Sequence, residues 1–330
     1  MKVAVIQAGP SAEAQVSRKS AAGVATALQQ AGYSVERVEL TPDIARFLVE
    51  FAPDVAFPVV HGNMGEDGCL QGLLEVLAIP YVGSSVLACA LACDKVRAKQ
   101  VFRAHQLPVA PDLVVLSSED ANECVRRIMD RFRSGVAVKP TSQGSSIGIS
   151  LVRDTTNRQA VADAIAYGFQ YDDVLLCEPF IRGREVTCGV IEGTRFGGVK
   201  AFPVTEIFSK AAEWYDFQSR YATGGSVHQC PAHLPTSVAQ RVQQAACQAF
   251  VALGCRDLCR VDFIVGDGQD PHAVTLLEVN TIPGMTATSL YPEAAAAAGI
   301  EFASLCDQFV RAAHARGMGR RNIDPIAFPA

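Results

Sequence analysis

Gly135-Val136-Ala137-Val138-Lys139-Pro140-Thr141-Ser142-Gln143-Gly144-Ser145-Ser146-Ile147-Gly148-Ile149-Ser150-Leu151-Val152 is the stretch on which the fold reading turns. An apolar run ends in a lysine, a loop of small polar residues follows, and a second apolar run returns. Two extended runs joined by a Gly/Ser loop predict a hairpin-like flap. A P-loop would end in Gly-Lys-Ser/Thr and open a helix; this loop does neither. A dinucleotide fingerprint would follow the first strand, where the chain reads Gln7-Ala8-Gly9-Pro10-Ser11 and lacks the glycine spacing. A nicotinamide dehydrogenase is thereby disfavoured. A lysine closing a buried strand beside several loop N–H groups suits a polyphosphate. Taken alone, Lys139 reads equally as a strand-end lysine snorkelling to solvent.

Toward the N-terminus, predicted strands over 3–6, 34–39 and 55–60 alternate with helices over 14–30 and 43–51. This is the pattern of a parallel sheet with crossover helices. The third strand runs into His61-Gly62-Asn63-Met64-Gly65-Glu66-Asp67-Gly68, a loop at the strand end where open α/β sheets bind ligands. Around the flap the alternation repeats, with helices over 95–105, 119–132 and 156–169 and strands over 112–116, 136–139, 147–152 and 174–178. Asp94 is a plausible N-cap for the first of these helices, and Lys95 behind it reads by default as a solvated first-turn lysine.

Beyond residue 179 the pattern predicts strands over 185–191, 196–201, 259–265 and 273–279 and a helix over 237–253. The stretch 205–229 reads as irregular, and an unstructured run of that length inside a domain is usually functional; a lid is expected. The end of the chain, 311–330, carries Arg316, Arg320, Arg321, Pro325 and Pro329 and reads as a frayed extension. The expected fold class is α/β (α+β) in three units: an N-terminal α/β substrate-binding domain over 1–89 with a parallel sheet, a central unit over 90–178, and a C-terminal unit over 179–330.

Arg260-Val261-Asp262 and Glu278-Val279-Asn280 lie on the last two strands. Alternation puts the polar members of each on one face. If these strands pair, three oxygen ligands meet beside an arginine, a set that suits magnesium with a nucleotide. A plain surface charge pair does not account for the apolar neighbours Val261, Phe263, Leu276, Leu277 and Val279.

A net charge of -5 over 330 residues leaves no excess of positive charge for a nucleic-acid backbone, and none is expected as a partner. No stretch reaches the roughly 18 apolar residues of a membrane span, and the first apolar run is too short for a signal peptide, so a cytoplasmic protein is expected. The 11 cysteines are scattered without Cys-x-x-Cys spacing, which reads as mostly buried, reduced thiols.

Five motifs in order carry a resemblance: His61 to Gly68; Asp94-Lys95; Lys139-Pro140-Thr141-Ser142-Gln143-Gly144-Ser145-Ser146-Ile147-Gly148; Arg260-Val261-Asp262; and Glu278-Val279-Asn280-Thr281-Ile282-Pro283-Gly284-Met285-Thr286. Together they resemble the D-alanine:D-alanine ligase family of the ATP-grasp superfamily, over Val3 to about Phe309.

The resemblance implies an ATP-grasp architecture for the second and third units. It also implies ADP-forming ligation of two D-alanines through an acyl phosphate, for peptidoglycan precursors. ATP and two magnesium ions (manganese being an alternative) are the implied cofactors, D-alanine and ATP the small-molecule partners, and a homodimer the implied assembly. Lys95 and Lys139 would hold phosphates; Glu178, Phe180 and Ile181 match the adenine-binding hinge and Glu185 the ribose ligand. Asp262, Glu278 and Asn280 would ligate metal, with Arg260 neutralising charge. Glu13 would take the first ammonium, with His61 near its carboxylate. Ser145 and Tyr221 would shape and close the site, and Gly284, Ser289 and Leu290 match the second-substrate pocket. The chain departs from the family pattern at Gln7 to Pro10, at Ala14-Gln15, and at Arg220, where the family has a lid lysine beside its tyrosine. A related ligase with another donor or acceptor, serving secondary metabolism, is the alternative.

Overall fold

In the computed structural model, which describes residues 1–11, 13–193, 197–209, 226–266, 274–286 and 288–318, three sheets stand in sequence order. The first is parallel, in the order β2-β1-β3, with β1 (Lys2–Gln7), α1 (Ala14–Gln30), β2 (Ser34–Glu39), α2 (Ile44–Phe51) and β3 (Val55–Pro58). Val3 to Ile6 are buried on both sheet faces, as expected for a strand between helical layers. Helix α1 buries Ser17, Ser20, Ala21, Val24 and Leu28, a stripe at helical spacing. Ser17 Oγ donates to Val59 O at 2.6 Å and accepts from Ala8 N at 2.7 Å, pinning the first loop to the third strand.

Helices α3 (Cys69–Val76), α4 (Val86–Cys93) and α5 (Lys95–Ala104) lead to the second sheet. It is antiparallel in the order β4-β7-β5-β6, built from β4 (Leu113–Leu116), α6 (Ala121–Arg131), β5 (Val136–Pro140), β6 (Ser150–Val152), α7 (Arg158–Gly168) and β7 (Val174–Pro179). Val136 pairs with Val152, so the flap forms, but its returning strand begins at Ser150 and not at 147. Val115, Ile128, Val138 and Leu175 share the core beneath it.

The third sheet runs β11-β10-β8-β12-β13, with β9 paired to β8. Its elements are β8 (Gly183–Gly193), β9 (Gly198–Ala201), β10 (Thr205–Ser209), β11 (Ser226–Gln229), α8 (Thr236–Leu253), β12 (Leu258–Gly266) and β13 (Val274–Asn280); α9 (Leu290–Ala297) and α10 (Phe302–Arg316) follow.

Two expectations are corrected. The stretch 205–229 is not irregular at its ends, because β10 pairs with both β8 and β11. Thr205 and Glu206 are polar yet buried, so no apolar alternation marks the strand. Nor does fraying begin at 311. Helix α10 continues to Arg316, whose guanidinium meets Asp257 at 2.6 and 2.9 Å and donates to Tyr81 O at 2.9 Å. Val5 of β1, Leu28 of α1 and Phe57 of β3 share a core with Tyr291, Leu305 and Phe309, so the C-terminal helices return to the N-terminal sheet. All 11 cysteines are free thiols, and Cys69 alone among them is exposed. Among the described residues, no helix is long and apolar enough to cross a membrane.

Candidate active site

Strands β12 and β13 set Arg260 opposite Asn280 and Asp262 opposite Glu278. Past Asp262 the register shifts, so that Phe263 meets Leu276 and Leu277 is the extra residue. Strict alternation from the buried Leu276 would send Glu278 into the same core. The bulge instead leaves Leu276 and Val279 inside and turns Glu278 to the cavity side, a known use of bulges beside sites.

Asp262 is almost fully buried. Its Oδ1 accepts from Arg260 Nε at 2.9 Å and from Thr187 Oγ1 at 2.5 Å, and its Oδ2 accepts from Arg260 Nη2 at 2.8 Å and Asn280 Nδ2 at 3.1 Å. The fork of Arg260 is thus held in one plane by a bidentate pair.

A cavity of about 630 Å³ lies between the second and third sheets, lined by Lys95, Lys139, Glu178, Phe180, Ile181, Glu185 and Glu278 among others. Lys139 Nζ donates to Glu178 Oε2 at 2.6 Å, and Lys99 Nζ binds the other oxygen. Burial alone would raise the Glu178 carboxyl, but Lys139 and Lys99 outweigh it and hold it at about 2. Lys95 Nζ donates to Gln143 O at 2.7 Å and lies 3.5 Å from Glu278 Oε2, while Asp94 caps α5 by accepting from Val96 N and Arg97 N. Lys95 is therefore part of the cavity wall and not a solvated lysine.

A second cavity, about 210 Å³, is lined by Glu13, His61, Glu66, Ser145, His228, Arg260, Asn280, Gly284, Ser289 and Leu290. Ser145 Oγ donates to Glu13 Oε1. His61 Nδ1 lies 3.0 Å from Ile282 O, and since a carbonyl only accepts, Nδ1 carries a proton. Among the described residues His61 Nε2 is buried without a hydrogen-bond partner, and burial lowers the ring's pKa. Glu66 accepts from Gly62 N at 2.7 Å. Burial and then the neighbouring Glu13 push its carboxyl up to about 8. Ser289 Oγ accepts from Thr286 N at 3.0 Å, just before α9. A Cβ on Gly284 would stand 2.9 Å from that oxygen, so a side chain there would push the Ser289 hydroxyl out of its place.

The D-ala D-ala ligase C-terminus model matches residues 101–311 and the D-ala D-ala ligase N-terminus model residues 48–84. The D-alanine–D-alanine ligase of Methylobacterium radiotolerans is 44% identical over 92% of this chain and 95% of its own length. That of Geobacter sulfurreducens is 40% identical over 96% of each. The chain belongs to the D-alanine–D-alanine ligase family. Among solved members of the family, the Coxiella burnetii ligase superposes with a TM-score of 0.80 at 30% identity, over 97% of this chain and 95% of that one. The Bacillus anthracis ligase complexed with ATP gives 0.79 at 28%, over 97% and 99%. The three-part ATP-grasp fold expected from the motifs is the fold these relatives share.

Of the residues singled out from the family motifs, Lys95, Lys139, Glu178, Phe180, Ile181, Glu185 and Glu278 meet at the first cavity. Glu13, His61, Ser145, Arg260, Asn280, Gly284, Ser289 and Leu290 meet at the second. Asp262 lies beneath the junction, hydrogen-bonded to Arg260 and Asn280. Arg220 and Tyr221 lie outside the described residues. Sequence reasoning missed Lys99, Thr187, Glu66 as a separate group, and His228, whose Nδ1 is 2.9 Å from Glu293 Oε2. One signal was available for Lys99: it stands four residues past Lys95, on the same helical face.

Proposed function

We propose that the two cavities are the nucleotide and amino-acid halves of one active site, meeting at the paired strands that carry Arg260, Asp262, Glu278 and Asn280. The reaction is that of the family, the ATP-dependent joining of two D-alanines with release of ADP and phosphate, for peptidoglycan precursors. The single observation that carries this assignment is the register of Asp262 with Glu278 and of Arg260 with Asn280 at the boundary between a large cavity and a small one.

Magnesium fits this boundary by the chemistry of the donor set. Asp262, Glu278 and Asn280 supply hard oxygens from adjacent strands, and the positive Arg260 and Lys95 already lie against the two carboxylates. Two bound ions, or manganese in their place, would supply neutralisation of phosphate charge during phosphoryl transfer.

The chain's own residues do the rest. A carboxylate is a poor electrophile, so it is activated as an acyl phosphate, a transfer that needs mainly positioning and charge compensation. Lys95 and Lys139 exchange their present carboxylate partners for phosphate oxygens. Glu185 binds the ribose, and the segment Glu178, Phe180 and Ile181 binds the base. Glu13, oriented by Ser145, takes the first ammonium. His61 Nε2 becomes a donor when the substrate carboxylate beside it favours the charged ring. Ser289 and the N-terminus of α9 at Leu290 hold the second carboxylate. Arg260, fixed by Asp262, faces the amino-acid cavity and stabilises the oxyanion formed when the second amine attacks. Tyr221 and Arg220 take the lid roles that the family pattern gives them.

Three units near 1–89, 90–178 and 179–330, a cytoplasmic location and a homodimer complete the proposal. The alternative donor or acceptor is not favoured, because the relatives that match nearly the whole chain at 40–44% identity are D-alanine–D-alanine ligases. Mass analysis of a reaction holding D-alanine, ATP and magnesium tests the proposal. D-alanyl-D-alanine with ADP is expected; AMP, or no turnover of D-alanine, overturns it.

A further inference from the structure

Helix α5 carries a lysine that lines neither cavity. Lys99 is 2% exposed and Glu178 is 4% exposed. Lys99 Nζ holds Glu178 Oε1 and lies 3.7 Å from Asp112 Oδ1. Arg103, one turn further along α5, pairs with the same Asp112. A chain of alternating charge, Arg103, Asp112, Lys99, Glu178, Lys139, thus runs from the surface to the wall of the larger cavity.

Lys139 is the member of this chain that faces the cavity, and the point rests on the nucleotide reading given above. Its ammonium lines the cavity and is drawn away from Glu178 once a polyphosphate enters. A buried carboxylate left without a cation takes up a proton, because desolvation penalises its charged form. Lys99 cannot make the same exchange, since it is sealed behind Glu178.

We propose that Lys99 is a positioning residue for base recognition, keeping Glu178 ionised and turned toward the base after Lys139 has gone to the phosphates. The charge on Glu178 then decides which base is accepted. An ionised carboxylate only accepts hydrogen bonds, whereas a protonated one also donates. Adenine presents an N–H donor at its 6-amino group, and a 6-oxo purine presents an acceptor there. Among the described residues, the groups acting on Glu178 are Lys99 from α5 and Lys139 from β5, with Asp112 and Arg103 behind Lys99. Glu185 and Glu278 act on Lys139 from across the cavity.

The test is equilibrium binding of ATP and of inosine triphosphate, each with magnesium, to the full chain and to Lys99→Met between pH 6 and 9. The full chain should prefer ATP by about tenfold or more across this range. Lys99→Met should lose at least tenfold in ATP affinity at pH 6 and much less at pH 9, while inosine triphosphate binding holds or improves. Lys99→Arg should restore the preference for ATP. A loss that is equal for both nucleotides and independent of pH would mark Lys99 as merely structural and overturn the proposal. So would an ATP preference that falls between pH 8 and pH 6 in the unmutated chain, an outcome that needs no variant to fold. If the unmutated chain binds neither nucleotide, the cavity assignment itself fails; if it binds ATP and Lys99→Met keeps the same ratio, only the role of Lys99 fails.

Discussion

Ser145, at the tip of the flap, donates a hydrogen bond to Glu13 at the start of α1, a residue 132 positions away in the chain. The flap belongs to the second sheet and Glu13 to the first, so the contact joins two units across the smaller cavity. Ser145 and Ser146 both adopt positive φ, 50° and 61°, a conformation uncommon for residues other than glycine. Neighbouring structure holds the loop there.

Removing that hydroxyl tests its purpose. A hydrogen bond to a charged group is worth about 1.5–3 kcal/mol, so Ser145→Ala should raise the KM for the first D-alanine by roughly 10- to 100-fold. The KM for ATP should move much less. Steady-state ADP release at varied D-alanine and fixed saturating ATP gives the answer, and an unchanged saturation curve would remove Ser145 from the site.

Arg260 binds both oxygens of Asp262 through Nε and Nη2. Lysine keeps the charge but cannot reproduce the planar fork. Arg260→Lys should therefore fold normally and lose about 10²–10³ in kcat, the range for deleting one oxyanion donor. Thermal melting and dipeptide formation measured on the same preparation separate the two effects. Wild-type turnover in this variant would mean that Arg260 compensates charge without touching the reacting atoms.

Glu66 gives a prediction with a sign. Its carboxyl rises from an ordinary 4.5 to about 8 because it is buried, and next because Glu13 lies close. The folded chain therefore keeps a proton that the unfolded chain releases. Its contribution to stability is complete below pH 4.5 and is lost as pH climbs toward 8, at most about 1.4 kcal/mol per unit of difference. Glu66→Gln, which mimics the protonated form, should flatten that decline and leave ligation near neutral pH within about threefold. Urea unfolding at pH 5 and pH 8, in chelator and without nucleotide, measures it. Parallel slopes for the two proteins would show that Glu66 ionises normally.

Strands β1 and β3, the flap and the paired Arg260 and Glu278 segments were legible because apolar runs there end near glycine, proline or small polar residues. The motifs gave most of the site as well, since the residues they name converge on two cavities. What stayed hidden has definite causes. Strand β10 buries Thr205 and Glu206, so its hydrophobic pattern is blank. The bulge at Leu277 depends on how two strands pair, which neither strand records by itself. Helix α4, Val86-Leu87-Ala88-Cys89-Ala90-Leu91-Ala92-Cys93, is apolar all round and has no stripe to detect. Lys99 has only its spacing from Lys95 to mark it; its partners Glu178 and Asp112 arrive from distant parts of the chain.

The end of the chain offers the last prediction, because the sequence assigned it no role. Arg316, the final residue of α10, meets the buried Asp257 and the carbonyl of Tyr81. Asp257 also accepts from Gly83 N at 2.8 Å, so one carboxylate ties the first unit, the third sheet and the last helix together. Removing one partner of a buried pair leaves the other charged and unpaired, at a cost of about 3–5 kcal/mol. Arg316 keeps part of its surface in solvent, which places Arg316→Met near the lower limit of that range. Ending the chain after residue 318 keeps the pair, and relative to that truncation ending it after residue 315 should lower the unfolding midpoint as much as Arg316→Met does. Equal midpoints for the two truncations would show that α10 is held by its apolar face, through Leu305 and Phe309, and not by the arginine at its end.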